Sequence, residues 1–273
     1  MLPVPILTYH ATNVGGNDYA SNDHVAFAHD LRLIDALGYR VVPLGQVVDA
    51  LLHRTGLPDK AVAISFDDGT DFDYHDLPHS THGVQRSMMN IMHDFIAEFG
   101  VSRQPLLHAT TFVVVSPEAR EEMDRKCLVG SGWYRDTWWK PAVASGLLAV
   151  ANHSWDHNHG AVTSTSGRRA ANTFRCIDDR ALADLEIRQA RDYIDAVAPN
   201  AAAGLFAYPY GDTNDYLLTE YFPLGESVTG ARAAFGTQAG RVGLGANRWH
   251  LPRYVCGADW HSPDDLTHLL RSE

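Results

Sequence analysis

The sequence is poor in cysteine, in basic residues and in long hydrophobic runs. Its three cysteines, Cys127, Cys176 and Cys256, lie far apart and form no CxxC pair, so no disulfide framework is expected. Acidic residues outnumber basic residues by 33 to 22, and the net charge of -11 disfavours binding to nucleic acid or to an anionic membrane surface. No stretch approaches the roughly 18 apolar residues that a membrane-spanning helix needs.

The start of the sequence also lacks the features of a secretory signal peptide. The segment MLPVPILTYH has neither a charged part nor a long apolar part, so we expect a cytoplasmic protein unless a leader has been removed. A hydrophobic content of 45% and a charged content of 20% are typical of a globular protein and exclude a disordered chain. Because neither a repeat nor a linker is evident, one domain is expected over residues 1–273. The sequence does not indicate the oligomeric state.

Strand-like and helix-like segments alternate along the chain. Short apolar runs typical of buried strands cover residues 4–9, 39–44, 61–66, 110–115, 146–152, 205–208, 233–235 and 250–255. Apolar residues at helical spacing cover residues 27–37, 47–52, 84–99 and 182–197, and a last helix is predicted after the capping residue Ser262. Strands that alternate with helices pair mostly in parallel, so the sequence predicts an α/β fold arranged as a closed or nearly closed barrel.

Two adjacent carboxylates follow the strand predicted over residues 61–66. Asp67 and Asp68 precede Gly69, and in a parallel barrel the carboxyl ends of the strands face the active site. Neighbouring strand residues point in opposite directions, but a turn at Gly69 would allow both acids to reach one centre. Taken alone, the pair is better explained by one acid that caps the next element and one that is solvated.

Two histidines follow the strand predicted over residues 146–152. His153 and His157 are four residues apart, a spacing at which both side chains can bind one metal ion. Together with Asp68 they form a His-His-Asp set that suits Zn²⁺ and leaves coordination positions for water and substrate. Asp67 would then be free to accept a proton.

The motifs and their order resemble those of the polysaccharide deacetylase family, the carbohydrate esterases with a NodB homology domain. The matching segments are the T/S-F-D-D-G motif at residues 65–69, the H-S/T-x-x-H motif at 153–157, a strand motif at 109–113, P-Y-G at 209–211 and the opening L-T-Y-H at 7–10. Each motif is modestly specific, but the ordered set spans roughly residues 4–255. The chain resembles a divergent member of this family.

The resemblance implies a distorted (β/α) barrel with seven or eight mostly parallel strands. It also implies removal of an acetyl group from a carbohydrate, with N-deacetylation favoured and an acetylated glycan as the partner. In such an enzyme Asp68, His153 and His157 would hold a divalent metal, with Zn²⁺ favoured and Co²⁺, Ni²⁺ or Mn²⁺ as alternatives. Asp67 would be the general base that activates the attacking water, and Tyr210 would offer its backbone N–H to the oxyanion.

The sequence departs from the family pattern at two catalytic positions. Ala207 stands where many members carry an arginine that orients the base, and we predict that Arg253 pairs with Asp67 instead. A surface ion pair is the alternative for Arg253. The motif that supplies an acidic histidine is unclear, so His250 is predicted as the general acid, with His261 as an alternative. Without a certain acid, cleavage of an O-acetyl ester stays open.

Two further features have open interpretations. Residues 70–82 and 158–176 are loop-like, and the first could line the cleft, bind a further metal or form an ordinary polar loop. The aromatic cluster of Trp133, Tyr134, Trp138 and Trp139 suits either sugar stacking or a hydrophobic lid.

Two other functions remain as alternatives. The first is hydrolysis of a different C–N bond in a small amide, and the second is a catalytically silent carbohydrate-binding barrel.

Overall fold

The structure is a computed structural model that describes residues 3–128, 130–163 and 170–272. Part of the predicted loop 158–176, residues 164–169, lies outside the described residues. Within them the strands are β1 (Val4–His10), β2 (Arg40–Val41), β3 (Ala61–Asp67), β4 (Leu77–His79), β5 (Gly83–Gln85), β6 (Ala109–Val113), β7 (Leu148–Asn152), β8 (Leu205–Ala207), β9 (Ala233–Phe235), β10 (Arg241–Val242) and β11 (Tyr254–Val255).

Helices lie between most of these strands. They are α1 (Asp23–Ala36), α2 (Leu44–His53), α3 (Met88–Phe99), α4 (Pro117–Cys127), α5 (Trp139–Ser145), α6 (Arg180–Ala183), α7 (Ala190–Val197), α8 (Glu226–Thr229) and α9 (Pro263–Arg271). A π-helical stretch, Asp184–Gln189, joins α6 to α7. Side-chain caps explain where several helices begin, since Asn22, Ser87, Ser116, Asp179 and Ser262 each accept a hydrogen bond from the first turn that follows. None of the helices in the described part of the chain is long and apolar enough to cross a membrane.

The main sheet is curled and mostly parallel. Its order is β10-β1-β3-β6-β7-β8-β9, with β2 beside β3 and β11 beside β1, and β10 is antiparallel to β1. A parallel bridge from Phe235 to Leu251 follows β9, and β11 then pairs with β1, so the last segment nearly closes the sheet into a barrel. The predicted α/β fold, a distorted barrel with mostly parallel strands, is confirmed.

Side-chain alternation along β3 separates the barrel interior from the layer under the helices. Val62, Ile64 and Phe66 belong to the large apolar cluster that also contains residues of α1 and α3. Ala61 and Ala63 belong to a different cluster, with Phe112 and Phe235 from β6 and β9. Residue 67 shares the parity of residues 61 and 63, so the last residue of β3 points into the barrel.

Several predicted elements differ in extent from those observed; the strand predicted over 250–255, for example, is limited to β11. The helix predicted over 84–99 begins only at Met88, because Val84 belongs to β5 and is 71% exposed. The strand predicted over 39–44 is limited to β2, because Pro43 precedes α2 and Leu44 is already helical.

Candidate active site

A cleft of about 430 Å³ opens at the carboxyl ends of the parallel strands. Its lining includes His10 and Asp67, which end β1 and β3 and are direct partners in the parallel register. His153 follows β7 and Tyr210 follows β8, and both also line the cleft. A larger cavity of about 830 Å³ lies at the amino ends of β1 and β3 and contains none of these side chains, so size alone does not locate the site.

Asp67 forms a buried two-point ion pair with Arg253. The guanidinium donates from Nη1 to Oδ1 at 2.7 Å and from Nη2 to Oδ2 at 2.8 Å, and its Nε donates to the carbonyl of Gly236 at 2.9 Å. The Arg253 side chain is fully buried. Burial opposes ionisation of Asp67, but the charge and hydrogen bonds of Arg253 prevail and hold its pKa well below the usual range. The contact between Arg253 and Asp67 that the sequence predicted is present.

The side chains of Asp68, His153 and His157 converge on one point of the cleft. Asp68 Oδ1 lies 3.6 Å from Nε2 of His153 and 3.6 Å from Nε2 of His157. The three ligand atoms all lie within 4.8 Å of one another. The two distances of 3.6 Å are close to those between ligand atoms that lie about 2.0–2.2 Å from a common ion.

The hydrogen bond of His153 and the pKa of His157 suit a metal ion, whereas the buried Nδ1 of His157 has no hydrogen-bond partner among the described residues. His153 donates from Nδ1 to the carbonyl of Ala207 at 2.9 Å, which leaves the lone pair of Nε2 directed at the cleft. Burial, followed by the neighbouring His153, lowers the pKa of His157 to about 3, so this imidazole is neutral as a ligand must be. One oxygen and two nitrogen donors form a ligand set that suits Zn²⁺.

Left-handed backbone conformations are concentrated at this site. Asp68 has a φ of 73°, His157 a φ of 62° and Tyr210 a φ of 61°. Such conformations cost free energy in non-glycine residues and persist only where the surrounding contacts impose them. At Asp68 the conformation turns the chain immediately after β3, which allows both acids of the pair to face the cleft.

Gly69 permits the close packing of β3 against β6. Its φ is 68°, and a Cβ added here would lie 2.7 Å from Cα of Val113 and 2.5 Å from its Cγ1. Glycine is therefore required at the turn that presents Asp68.

Tyr210 lies beside the histidine pair. Its ring is perpendicular to that of His157, with 4.5 Å between the centroids, and its hydroxyl donates to Oδ1 of Asn172 at 3.3 Å. The side chain is 40% exposed and lines the cleft. Gly211 follows in a left-handed conformation in which an added Cβ would collide with Thr237, so the turn that carries Tyr210 is tightly constrained.

Residues 54–225 match the family described as polysaccharide deacetylase, which is more than half of the 273 residues. The chain belongs to the polysaccharide deacetylase family. No curated protein sequence gives a significant match.

Several solved structures share the fold of this family member. The Streptococcus pyogenes deacetylase PplD, solved in complex with acetate, has 18% identity and a TM-score of 0.64, with 99% of each chain covered. A de-N-acetylase from Aggregatibacter actinomycetemcomitans has 15% identity and a TM-score of 0.65, covering 97% of this chain and 99% of that one. IcaB from Ammonifex degensii has 20% identity and a TM-score of 0.62, covering 99% and 97%.

Two further histidines of this polysaccharide deacetylase family chain, His10 and His250, differ in their position relative to the cleft. His250 packs against Gly236 and the ring of Tyr208 and is not among the residues that line the cleft. His10 does line the cleft, and its buried Nδ1 has no hydrogen-bond partner among the described residues. Sequence reasoning overlooked His10, although it is a polar residue at the end of an apolar strand, the same signal that identified Asp67.

The acidic loop of residues 70–82 forms mainly structural contacts. Asp71 accepts hydrogen bonds from Arg135, and Asp76 pairs with Arg86 and accepts from Ser87 at the start of α3. Asp73 is buried against Thr111, and burial raises its pKa well above the usual value. Within the described residues, a group of side chains able to hold a metal is found only at Asp68 and the histidine pair, not at this loop.

The aromatic cluster is mostly part of the core. Trp138 and Trp139 are buried, and Trp133 packs its ring perpendicular to that of Phe72. Only Tyr134 of this cluster lines the cleft, where its hydroxyl donates to the backbone carbonyl of Asp68.

Proposed function

We propose that the chain is a metal-dependent hydrolase that removes an acetyl group from a carbohydrate, with N-deacetylation favoured. The observation that carries the proposal is the convergence of Asp68, His153 and His157 on one point beside the ionised Asp67. Family membership supports the substrate class, and the similarity to a de-N-acetylase favours an amide over an ester.

Asp68, His153 and His157 are the residues proposed to hold the metal, with Zn²⁺ favoured and Co²⁺, Ni²⁺ or Mn²⁺ as alternatives. When bound, such an ion supplies Lewis-acid polarisation of a carbonyl and lowers the pKa of water towards about 7. The carbonyl of Ala207 fixes the tautomer of His153 that leaves Nε2 free for the metal, and burial keeps His157 neutral.

Asp67 is the proposed general base. Its carboxylate is kept ionised by Arg253, so it is able to accept a proton from water at any working pH. The bidentate contact also fixes the carboxylate plane, which keeps its oxygens in one orientation towards the cleft.

The backbone N–H of Tyr210 is the proposed donor to the oxyanion. The left-handed conformation of this residue and the close packing of Gly211 on Thr237 hold the peptide in one orientation. A single fixed donor of this kind is worth about 3 kcal/mol of transition-state stabilisation.

His10 is the proposed proton donor to the departing nitrogen. It lines the cleft directly beside Asp67 in the sheet register, and its backbone N–H is held by Oδ2 of Asp23 at 2.7 Å. His250 remains an untested prediction for this role, with less geometric support because it lies outside the cleft lining.

Acetate release from defined substrates tests the function. Purified protein is assayed with Zn²⁺ or Co²⁺ on N-acetylglucosamine oligomers, on an O-acetylated sugar and on a small cyclic amide. We expect release from the oligomers, and a loss of at least about 100-fold in the Asp67→Asn and Asp68→Asn variants.

The same assay distinguishes the alternatives. Turnover of the cyclic amide alone would indicate hydrolysis of another C–N bond. A protein that binds one equivalent of Zn²⁺ and glycan but releases no acetate would be a silent binding barrel. The choice of acid is tested by His10→Gln and His250→Gln, of which only the first is expected to lower turnover.

A further inference from the structure

We propose that residues 132–135, called here the clamp segment, position the metal ligand Asp68, and that the Tyr134 hydroxyl is the contact through which they act. The inference rests on the proposed metal site. It assigns a function to part of the aromatic cluster that neither the proposed reaction nor the core explains.

Tyr134 contacts the backbone of Asp68. Its hydroxyl donates to the Asp68 carbonyl at 2.8 Å, and its side chain is only 5% exposed. The same carbonyl also accepts from the backbone N–H of Val114, at a longer distance of 3.3 Å. The hydrogen bond from the tyrosine hydroxyl is therefore the shorter of the two that fix this peptide plane.

Asp68 needs such support because of its place in the chain. It lies just beyond the end of β3, with a φ of 73°, and its side chain is 25% exposed, whereas those of His153 and His157 are 2% and 8% exposed. Asp68 is thus the least enclosed of the three proposed ligands. Orientation of its carboxylate depends on the backbone turn that Tyr134 holds.

The clamp segment is itself anchored on both sides. Asp124 of α4 accepts from the N–H of Gly132 at 2.8 Å and from that of Trp133 at 3.3 Å. Asp71, three residues beyond Asp68, donates from its N–H to the Trp133 carbonyl at 2.9 Å.

Arg135 completes this attachment. Its N–H and its Nε each donate to the Asp71 carboxylate at 2.8 Å, and the Asp71 side chain is fully buried. The turn of residues 68–71 is therefore tied to α4 through a segment that contains no metal ligand. Because the clamp segment is fixed independently of Asp68, Tyr134 is able to restrict the movement of the Asp68 peptide.

The Tyr134→Phe variant tests the proposal, because it removes one hydroxyl and keeps the ring. We expect its dissociation constant for Zn²⁺ to rise about 10-fold, measured by competition with a chromogenic chelator at a temperature well below unfolding. Tyr39→Phe is the matched control, since the Tyr39 hydroxyl is a buried donor to the Leu270 carbonyl at the opposite end of the barrel. It should lose similar stability and keep the wild-type affinity.

The outcomes separate the clamp from the metal site. Equal Zn²⁺ affinity in Tyr134→Phe and wild type would overturn the positioning role while leaving the metal site intact. An equal loss of Zn²⁺ affinity in both tyrosine variants would show that the loss comes from lower overall stability, and it would also overturn the clamp. A wild-type protein that binds no Zn²⁺ would overturn the metal site, and the clamp with it.

Discussion

The buried ion pair of Asp67 and Arg253 affects both the stability of the folded state and the proposed role of Asp67 as general base. Both side chains are almost completely buried, so each charge is stabilised mainly by the other rather than by water. Removing one partner leaves the other buried and unpaired, which costs far more than the pair contributes. The two residues are 186 positions apart in the sequence.

The Arg253→Met variant should therefore lose about 3–5 kcal/mol of unfolding free energy, measured by urea denaturation at pH 7. Because the low pKa of Asp67 stabilises the folded state above about pH 4, this loss should shrink as the pH falls towards 3. The acid limb of the pH–rate profile should also move to higher pH, because burial then raises the pKa of Asp67 unopposed. The exposed Arg32, paired with Glu98, is the control, and Arg32→Met should cost under about 1 kcal/mol.

Asp30 should make the stability of the folded state depend on pH in the direction opposite to that expected from Asp67. Burial raises its pKa to about 6, although the hydroxyls of Tyr9 and Tyr19 and the indole of Trp260 donate to it. The folded state then binds more protons than the unfolded state between about pH 4 and 6, so stability falls as the pH rises through this window.

Replacing Asp30 by Asn should remove about 2 kcal/mol of this pH dependence between pH 4 and pH 6, seen in unfolding free energies measured at pH 4, 5 and 6. Glu98→Gln on the exposed surface should keep the wild-type profile. An Asp30→Asn profile parallel to that of the wild type would show that Asp30 titrates normally.

At the scale of elements, the turn between β3 and the loop that follows is the most constrained part of the site. Gly69 packs against the backbone of Val113 at the end of β6, so the two strand ends approach more closely than any residue with a Cβ permits. The position of Asp68 depends on this approach.

Gly69→Ala should be costly for two reasons. The left-handed conformation costs about 1–2 kcal/mol, and the collision with Val113 adds about 1–3 kcal/mol, both measured by urea denaturation. Gly38 is a matched control, since its φ is 77° and nothing lies within 4 Å of an added Cβ. If Gly38→Ala and Gly69→Ala lower the unfolding free energy by the same amount, the close packing against Val113 does not contribute to stability.

The sequence predicts the site better than it predicts the irregular elements. The convergence of Asp68 with His153 and His157 follows from a rule for parallel strands, since polar residues at carboxyl ends meet at one edge. Applying the same rule to β1 would have identified His10. No periodic signal could have predicted the contact of Tyr134 with Asp68, because the clamp segment belongs to no helix or strand.

Helices with few apolar residues were also missed. In α4 only Ala119 and Met123 are buried apolar side chains, so its sequence lacks the apolar stripe by which a helix is recognised. The β4–β5 hairpin was missed because its strands have three residues each and are largely exposed. Most strands of the main sheet were predictable because most of their residues are buried and apolar, as in β1 and β3, whereas the two-residue strand β10 was missed.

At the scale of the whole molecule, the proposed metal joins two separate parts of the sheet. Asp68 follows β3 and the histidine pair follows β7, with β6 between the two strands. An ion bound by both strand ends would therefore stabilise the folded state against the unfolded one.

Zinc should accordingly raise the thermal midpoint of the metal-free protein. At a free concentration of about 1,000 times the dissociation constant the gain is about 4 kcal/mol. This corresponds to roughly 8 °C at roughly 2 °C per kcal/mol for a chain of this size. Scanning calorimetry before and after chelation measures the shift. Asp68→Asn should lose most of it; the same shift in that variant would place the bound zinc elsewhere.

The segment after β9, which nearly closes the sheet into a barrel, affects the order in which the buried ion pair forms. The match to the family ends at residue 225, yet Arg253 comes from the stretch that joins β9 back to β1, and His10 comes from β1 itself. Strand β1 and the segment after β9 therefore meet around Asp67, which lies between them in the sequence. During synthesis Asp67 is made long before Arg253, so the buried ion pair forms only after the segment that carries Arg253 has left the ribosome.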